Sequence, residues 1–223
     1  MKFRNEWKHI INYSDMVTLR ARLRAVAKPE IHGIGGKYDI RSIYFDDLFD
    51  TALLEKKNGV NMREKFRMRY YERSTSFIRL EKKSKINGLC NKESVQIYAE
   101  EAEKILSGQI DWMKDDSRAL VRELYLKMKN KGLRPKTIVD YTREAFTFPA
   151  GNVRVTLDYN IRTGMQSLDF LDPDSVTVPV NESPIILEVK WDGYLPDIIR
   201  DAVALEDRHS SAFSKYESCR IYG

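Results

Sequence analysis

The chain has 223 residues, of which 42% are hydrophobic and 32% are charged. This length and apolar content allow one large folded domain over 1–223 and exclude a disordered polyelectrolyte. The 38 basic and 33 acidic residues give a net charge of +5, which excludes a histone-like polycation. Nucleic acid, polyphosphate and nucleotides all remain open as partners of a moderately basic protein.

Cysteine, histidine and apolar content narrow the class of protein further. Cys90 and Cys219 lie far apart without a CxxC motif, which predicts reduced thiols. The three histidines are too scattered to indicate a zinc site. No apolar run approaches the roughly 18 residues that cross a bilayer, and the first residues lack an apolar signal core. We therefore expect a cytoplasmic chain without a membrane span of its own.

Hydrophobic periodicity and turn residues predict strands and helices in chain order. The first half is expected to contain strands at 3–13, 38–46, 63–73, 76–85 and 93–98, and helices at 14–28 and 48–58. Ser14 is the predicted N-cap of the first helix. The second half is expected to contain a helical hairpin inserted at 99–132, strands at 136–146, 152–161 and 184–191, a helix at 195–205, and a terminal turn or helix at 212–218.

Charged residues occupy every second position in several predicted strands, so each of these strands has one charged face and one apolar face. The residues that share such a face are Glu6 with Lys8, Arg67 with Arg69, Arg79 with Glu81 and Lys83, Tyr141 with Arg143, and Glu188 with Lys190. A half-buried antiparallel sheet with one solvated face would give the same alternation. The repeated Arg and Lys with interspersed Glu favour a face that binds a polyanion and its metal ion.

About eight antiparallel strands of this kind predict an α+β fold built on a closed tunnel barrel. If the charged faces point inward, the interior is polar and basic, and the apolar exterior of the sheet must be covered. The amphipathic helices at 14–28, 117–131 and 195–205 are expected to provide that cover.

Eight short motifs follow one another along the chain. They are Glu6-Trp7-Lys8, 40–46, 65–71, 80–83, 140–143, 154–158, 187–190 and 213–216. In this order they resemble the VTC (vacuolar transporter chaperone) domain, the polyphosphate polymerase branch of the triphosphate tunnel metalloenzymes, which have a CYTH-like fold. The resemblance implies a tunnel whose inner wall binds a chain of phosphates.

The resemblance also implies a role for individual residues. The implied phosphate-binding residues are Lys8, Arg67, Arg69, Lys83, Arg143, Arg154, Lys190, Ser214 and Lys215. The implied metal ligands, for Mn²⁺ or Mg²⁺, are Glu188, Glu6 and Glu81. The implied catalytic residues are Lys8, Arg67, Arg69, Lys83 and Glu188. Ala212 stands where the family usually has a further basic residue, which puts one phosphate contact in doubt.

The activity implied by the resemblance is that of an ATP-binding phosphotransferase that moves the γ-phosphoryl group of ATP onto a growing inorganic polyphosphate. Two alternatives stay open: a metal-dependent hydrolase of inorganic or nucleoside triphosphates, and a non-catalytic module that binds polyphosphate or nucleic acid. Nucleic acid is the least favoured partner, because most of Tyr70, Tyr71 and Tyr141 lie at the outer-face parity or at strand ends. Any coupling to translocation would require a membrane-protein partner.

Overall fold

The computed structural model describes residues 4–30, 33, 35–86, 89–181, 184–206 and 213–221. In these ranges the chain forms ten strands and six helices. The strands are β1 (Asn5–Ile11), β2 (Lys28–Pro29), β3 (Lys37–Asp46), β4 (Met62–Tyr71), β5 (Ser74–Ile86), β6 (Leu89–Ile97), β7 (Arg134–Phe148), β8 (Val153–Thr163), β9 (Val178–Pro179) and β10 (Ile185–Trp191). The helices are α1 (Tyr13–Val26), α2 (Thr51–Lys57), α3 (Ala99–Leu106), α4 (Ala119–Asn130), α5 (Asp197–Val203) and α6 (Lys215–Arg220).

All of these strands belong to one antiparallel sheet. Eight of them follow the order β1-β10-β8-β7-β3-β4-β5-β6, and the two-residue strands β2 and β9 pair with β7 and β8. The predicted α+β class and the antiparallel sheet of about eight long strands are confirmed. The expected closed ladder is not formed, because the edge strands β1 and β6 meet only at an isolated bridge between Arg4 and Cys90 in the described part of the chain.

The apolar face of β4 and β5 points outward and is covered by helices of the predicted insert at 99–132. Met68 of β4 and Leu80 of β5 are fully buried in one cluster with Ile105 of α3 and with Leu124 and Met128 of α4. Burial of each such side chain stabilises the fold by roughly 1.5–3 kcal/mol. Packing on this face therefore turns the charged face of the same strands toward the interior.

A second pair of helices covers the other half of the sheet in the same way. Leu19 and Leu23 of α1 and Ile199 of α5 pack against Val155 of β8 and Leu187 of β10, and all five side chains are buried. The expectation that amphipathic helices cover an apolar exterior agrees with this packing. Each helix in the described ranges is too short or too polar to cross a bilayer.

Helix α1 has a different N-cap from the one predicted. Oδ1 of Asn12 accepts a hydrogen bond from the backbone N–H of Asp15 at 2.8 Å, and the Asp15 carboxylate accepts one from the backbone N–H of Asn12 at 3.1 Å. This reciprocal capping box satisfies two otherwise unpaired donors. The prediction of Ser14 is wrong, because the helix already begins at Tyr13.

Strand β6 is longer than the predicted strand at 93–98. It begins at Leu89, where it pairs with Ile86 of β5, and the ladder continues to Ile97 paired with Ile78. Backbone pairing with β5 extends the strand over residues that lack an apolar alternation, since tertiary pairing can override local β-propensity. The Asn-Gly pair at 87–88, which is typical of a tight turn, lies outside the described residues.

Candidate active site

A cavity of about 730 Å³ lies on the inner side of the sheet. Its wall contains inward-facing side chains from all eight long strands, together with residues of α2 and of the α6 region. The lysines and arginines of the wall are Arg4, Lys8, Lys56, Arg63, Lys65, Arg67, Arg69, Lys83, Lys85, Lys92, Arg143, Arg154, Lys190 and Lys215, and its glutamates are Glu6, Glu64 and Glu188. The wall therefore carries a net positive charge, which attracts polyanions.

Every predicted phosphate-binding residue lines this cavity. They are Lys8, Arg67, Arg69, Lys83, Arg143, Arg154, Lys190, Ser214 and Lys215. Their shared position follows from strand parity, because residues two apart in a strand face the same side of the sheet. Glu188 and Glu6, two of the three predicted metal ligands, also lie in the wall. The binding roles of these residues stay predictions.

Two arginines of the wall are fixed by fully buried carboxylates. Arg67 donates from Nε and Nη2 to one oxygen of Glu81, at 2.7 and 2.5 Å. Arg143 donates from Nε and Nη2 to the two oxygens of Asp158, at 2.6 and 2.7 Å. Burial opposes the charge of Asp158, but Arg143 and Lys215 outweigh it and hold the pKa of that carboxyl well below its usual range. Both guanidinium groups are therefore held in place before any phosphate arrives, which suits precise positioning.

Glu81, the third predicted metal ligand, has no exposed surface and is not part of the cavity wall. One of its oxygens accepts hydrogen bonds from Arg67, and the other accepts a hydrogen bond from Lys92 Nζ at 2.6 Å. Burial opposes the charge of Glu81, but Arg67, Arg69 and Lys92 outweigh it and hold its pKa well below the usual range. Because Glu81 does not face the cavity, it fits the role of an anchor for Arg67, and the metal-ligand role that the resemblance implies stays a prediction.

Hydroxyl groups position two of the wall arginines. Arg69 donates to Ser42 Oγ at 3.1 Å and to Tyr141 Oη at 2.8 Å. Arg67 donates its remaining Nη1 hydrogen bond to Tyr44 Oη at 2.8 Å. Burial raises the pKa of Tyr44, but Arg67 and the neighbouring cations outweigh burial and lower it to about 8. The cations of the wall therefore stabilise the ionised form of Tyr44, and they would stabilise the negative charge of a bound phosphate in the same way.

The aromatic residues considered for nucleic-acid stacking divide between the two faces of the sheet. Tyr70 packs on the outer side against Phe170, with ring centres 5.0 Å apart. Tyr71 and Tyr141 line the cavity, where the Arg69 guanidinium lies 5.9 and 5.7 Å from their ring centres. These two rings therefore contact cations of the wall.

Four charges alternate between the paired strands β1 and β10. The register sets Glu6 opposite Lys190 and Lys8 opposite Glu188. Lys190 Nζ lies 3.1 Å from Glu188 and 3.3 Å from Glu6, and Lys8 Nζ lies 3.2 Å from Glu188. Burial alone would raise the pKa of Glu188, but Lys190 and Lys8 outweigh it and hold this pKa well below the usual range. Burial alone would lower the pKa of Lys8, but Glu188 and Glu6 outweigh it and raise this pKa.

Of the three wall glutamates, Glu64 pairs with Lys82 and Lys127. Glu188 and Glu6 lie together beside Lys8 and Lys190, and this pair could hold a divalent ion. The described residues contain no group of three or more His, Cys, Asp or Glu side chains able to hold a metal by themselves. In phosphate sites Mg²⁺ usually takes one or two carboxylates and obtains its other oxygens from phosphates and water. Two carboxylates facing one basic cavity match that pattern, so the donor set fits an ion that binds together with phosphate.

The region that begins α6 places its predicted phosphate ligands in the wall. Ser214 is the N-cap of α6, and its Oγ accepts a hydrogen bond from the backbone at 3.4 Å. Lys215 Nζ donates to Asp158 at 2.6 Å, which links α6 to β8. Ala212, where the family usually has a further basic residue, lies outside the described residues.

Lys65, Tyr38, Tyr44 and Asp158 are among the residues that form or support the wall and that the sequence analysis missed. Lys65 precedes Arg67 by two positions and shares its inward face, so parity alone could have found it. Tyr38 and Tyr44 belong to the strand of the second motif. A tyrosine on a strand is as typical of the hydrophobic core as of a binding site, so its residue type alone does not identify it. Asp158 follows the parity of Arg154, yet its pairing with Arg143 depends on the register of β7 and β8, which the sequence does not show.

An antiparallel sheet folded around a basic cavity, with helices on its apolar exterior, defines a triphosphate tunnel-type fold. The family model of the VTC domain matches residues 3–221, so the chain belongs to the VTC domain family. Enzymes of this CYTH-like tunnel class generally depend on a divalent metal.

One solved structure with a TM-score above 0.5 agrees on the fold. The PH1012 protein from Pyrococcus horikoshii OT3 matches with a TM-score of 0.51 and 12% identity, over 96% of this chain and 98% of that chain. A candidate adenylate cyclase from Bacillus halodurans matches with a TM-score of 0.49 and 13% identity, over 85% of this chain and 80% of that chain. A search of curated proteins found no match.

Proposed function

We propose that the protein is a metal-dependent polyphosphate polymerase that transfers the γ-phosphoryl group of ATP onto a growing inorganic polyphosphate. The observation that carries the proposal is the charge of the cavity, whose lysines and arginines outnumber its glutamates and come from seven of the eight long strands. A chain of phosphates supplies negative charge along its whole length, whereas a single carboxylate or phosphate would contact only part of such a wall. Membership of the VTC domain family supports the same activity.

Phosphoryl transfer requires mainly positioning and neutralisation of charge, and the wall offers both. Arg67 and Arg143 are anchored by Glu81 and Asp158, so their guanidinium groups enter the reaction already oriented. Lys83 adds a point charge from the neighbouring strand β5. In the proposed reaction these residues bind the phosphates of the donor and the acceptor in line with each other.

Glu188 and Glu6 would hold the divalent ion, which when bound supplies positive charge to the phosphate oxygens. Lys8 and Lys190 contact both carboxylates, so they balance the charge of the pair and remain close to the phosphates. The terminal oxygen of the acceptor polyphosphate attacks the γ-phosphorus of ATP, the bond to the β-phosphate oxygen breaks, and ADP leaves. The acceptor itself provides the nucleophile, so the wall does not need a nucleophilic side chain.

A phosphorus-31 NMR time course of the purified protein with ATP and Mn²⁺ tests this proposal. We expect signals of internal polyphosphate residues to grow as those of ATP fall and those of ADP rise. Release of orthophosphate alone would assign the cavity to a triphosphatase. Absence of turnover, with binding of polyphosphate or of single-stranded RNA retained, would leave a binding module.

A further inference from the structure

Two lysines of the cavity wall lie side by side without a counter-charge of their own. Lys65 of β4 and Lys83 of β5 are directly paired in the register of the two strands, and both line the cavity. Like charges opposite each other on one face of a sheet destabilise the pairing. Lys83 was predicted as a phosphate ligand, whereas Lys65 has no role in the predicted site.

Other lysines of the wall have carboxylate partners, in contrast to Lys65 and Lys83. Lys8 contacts Glu6 and Glu188, and Lys215 contacts Asp158. Within the described part of the chain, neither Lys65 nor Lys83 has a carboxylate within ion-pair distance or a hydrogen-bonding partner. Lys65 Nζ lies 5.4 Å from the centre of the Tyr44 ring.

The electrostatic surroundings of Lys65 include groups from its own strand and from two others, β1 and β3. Burial lowers the pKa of Lys65 to about 8, with further lowering by Arg67 and Lys8, while Tyr44 and Glu6 act in the opposite direction. Burial and the neighbouring cations also lower the pKa of Lys83. An anionic group that contacts both ammonium groups would offset the repulsion that each of them receives from neighbouring cations such as Arg67 and Lys8.

We propose that Lys65 is a further phosphate-binding residue and that, together with Lys83, it forms a subsite for one phosphoryl group of a polyphosphate or nucleoside triphosphate. The subsite rests on the proposed function only for the class of ligand, because it requires that phosphate chains enter the cavity but not that they are polymerised. Direct register pairing places the two side chains on adjacent strands, a spacing at which one phosphate can accept hydrogen bonds from both.

The subsite has a proton-linked signature. A phosphate beside Lys65 stabilises its charged form and raises its pKa, so binding near pH 8 takes up protons. Tripolyphosphate itself still loses its last proton in the weakly alkaline range, and this change is the same for every variant. As the pH rises, the wild type is therefore expected to lose the contribution of Lys65 relative to a variant whose side chain stays charged. Lys65→Arg should lose less affinity, because arginine stays charged, while ionisation of Tyr44 weakens binding in both proteins.

Isothermal titration calorimetry with tripolyphosphate in the presence of EDTA tests the subsite. At pH 7.5, Lys65→Gln should weaken binding by about tenfold or more, the loss expected for a charge-assisted hydrogen bond. Lys104→Gln is the matched control, since it makes the same change at an exposed position of α3 and should stay within about twofold of wild type. Between pH 7.5 and pH 9.5, the affinity of Lys65→Arg should fall less than that of wild type.

Thermal unfolding of the ligand-free proteins separates binding from folding. Lys65→Gln should melt at or above the wild-type temperature, because it removes a charge that repels its neighbours. Wild-type affinity in Lys65→Gln, or absence of tripolyphosphate binding by the wild type, would overturn the subsite. If Lys65→Gln does not fold, a pH profile of Lys65→Arg parallel to that of wild type would overturn it. If Lys65→Gln weakens binding and the wild type releases only orthophosphate, the subsite is supported and the proposed polymerase activity is contradicted.

Discussion

Glu188→Gln should lower the rate of ATP consumption by at least about a hundredfold, a loss typical of removing one charged group that stabilises a transition state. Glu188 lies at the centre of the cluster formed with Lys8, Lys190 and Arg143, and it is the carboxylate best placed to hold the divalent ion. Glutamine keeps the shape of the side chain and removes its charge. Steady-state turnover of ATP with Mn²⁺ measures the effect.

Binding without metal distinguishes a loss of ion binding from a collapse of the wall. In EDTA, Glu188→Gln should bind tripolyphosphate at least as tightly as wild type, because the wall has lost one negative charge. Glu144→Gln is the matched control: Glu144 is also buried and paired, with Arg20, but it lies outside the cavity wall. Glu144→Gln is expected to cost stability and to retain turnover per folded molecule. Unchanged turnover in Glu188→Gln would remove Glu188 from the proposed metal site.

Asp158→Asn should lower the free energy of unfolding by about 3–5 kcal/mol, the usual effect of removing one partner of a buried ion pair. The change leaves Arg143 and Lys215 without their shared carboxylate. The pKa of Asp158 is lowered in the folded protein, so its stabilising contribution is fully present above the unfolded-state pKa of about 3.9. That contribution is lost as the pH falls through the folded-state pKa. Chemical denaturation of both proteins between pH 7 and pH 3 measures the difference.

Asp111→Asn supplies the surface comparison for this experiment. Asp111 pairs with Lys129, but its side chain is 87% exposed, so the change should cost less than about 1 kcal/mol. A loss of similar size in Asp158→Asn would show that the Asp158 network does not anchor Arg143. A loss that does not shrink toward low pH would contradict the depressed pKa of Asp158.

Strand parity predicted the cavity wall well. Arg67 and Arg69, or Glu188 and Lys190, are separated by one residue, and this spacing alone puts both members of each pair on one face. Parity alone does not show which face of the sheet points inward. The other face is apolar and must be covered, and the helices α1, α3, α4 and α5 cover it on the outside. The sequence pattern therefore predicts both the strands of the sheet and the orientation of their charged face toward the interior.

The remaining differences come from contacts between residues distant in sequence. Glu81 has the parity of Lys83, but its position beside Arg67 and Lys92 places it behind the wall and engages both of its oxygens. Lys65 has no unusual neighbour in sequence, and its lack of a counter-charge emerges only when β4, β5 and β3 are assembled. In the described residues the two edges of the sheet meet only at the bridge between Arg4 and Cys90. No local sequence pattern indicates whether these edges pair into a closed barrel.

The measurement that tests most directly whether this cavity is a polyphosphate site is a crystal structure of the protein grown with tripolyphosphate and Mn²⁺. We expect three phosphorus positions inside the cavity, within hydrogen-bonding distance of Arg67, Lys83 and Arg143. An anomalous manganese peak should lie against the Glu188 carboxylate. Phosphate bound only on the outer surface, or manganese bound away from Glu188, would contradict the proposed site.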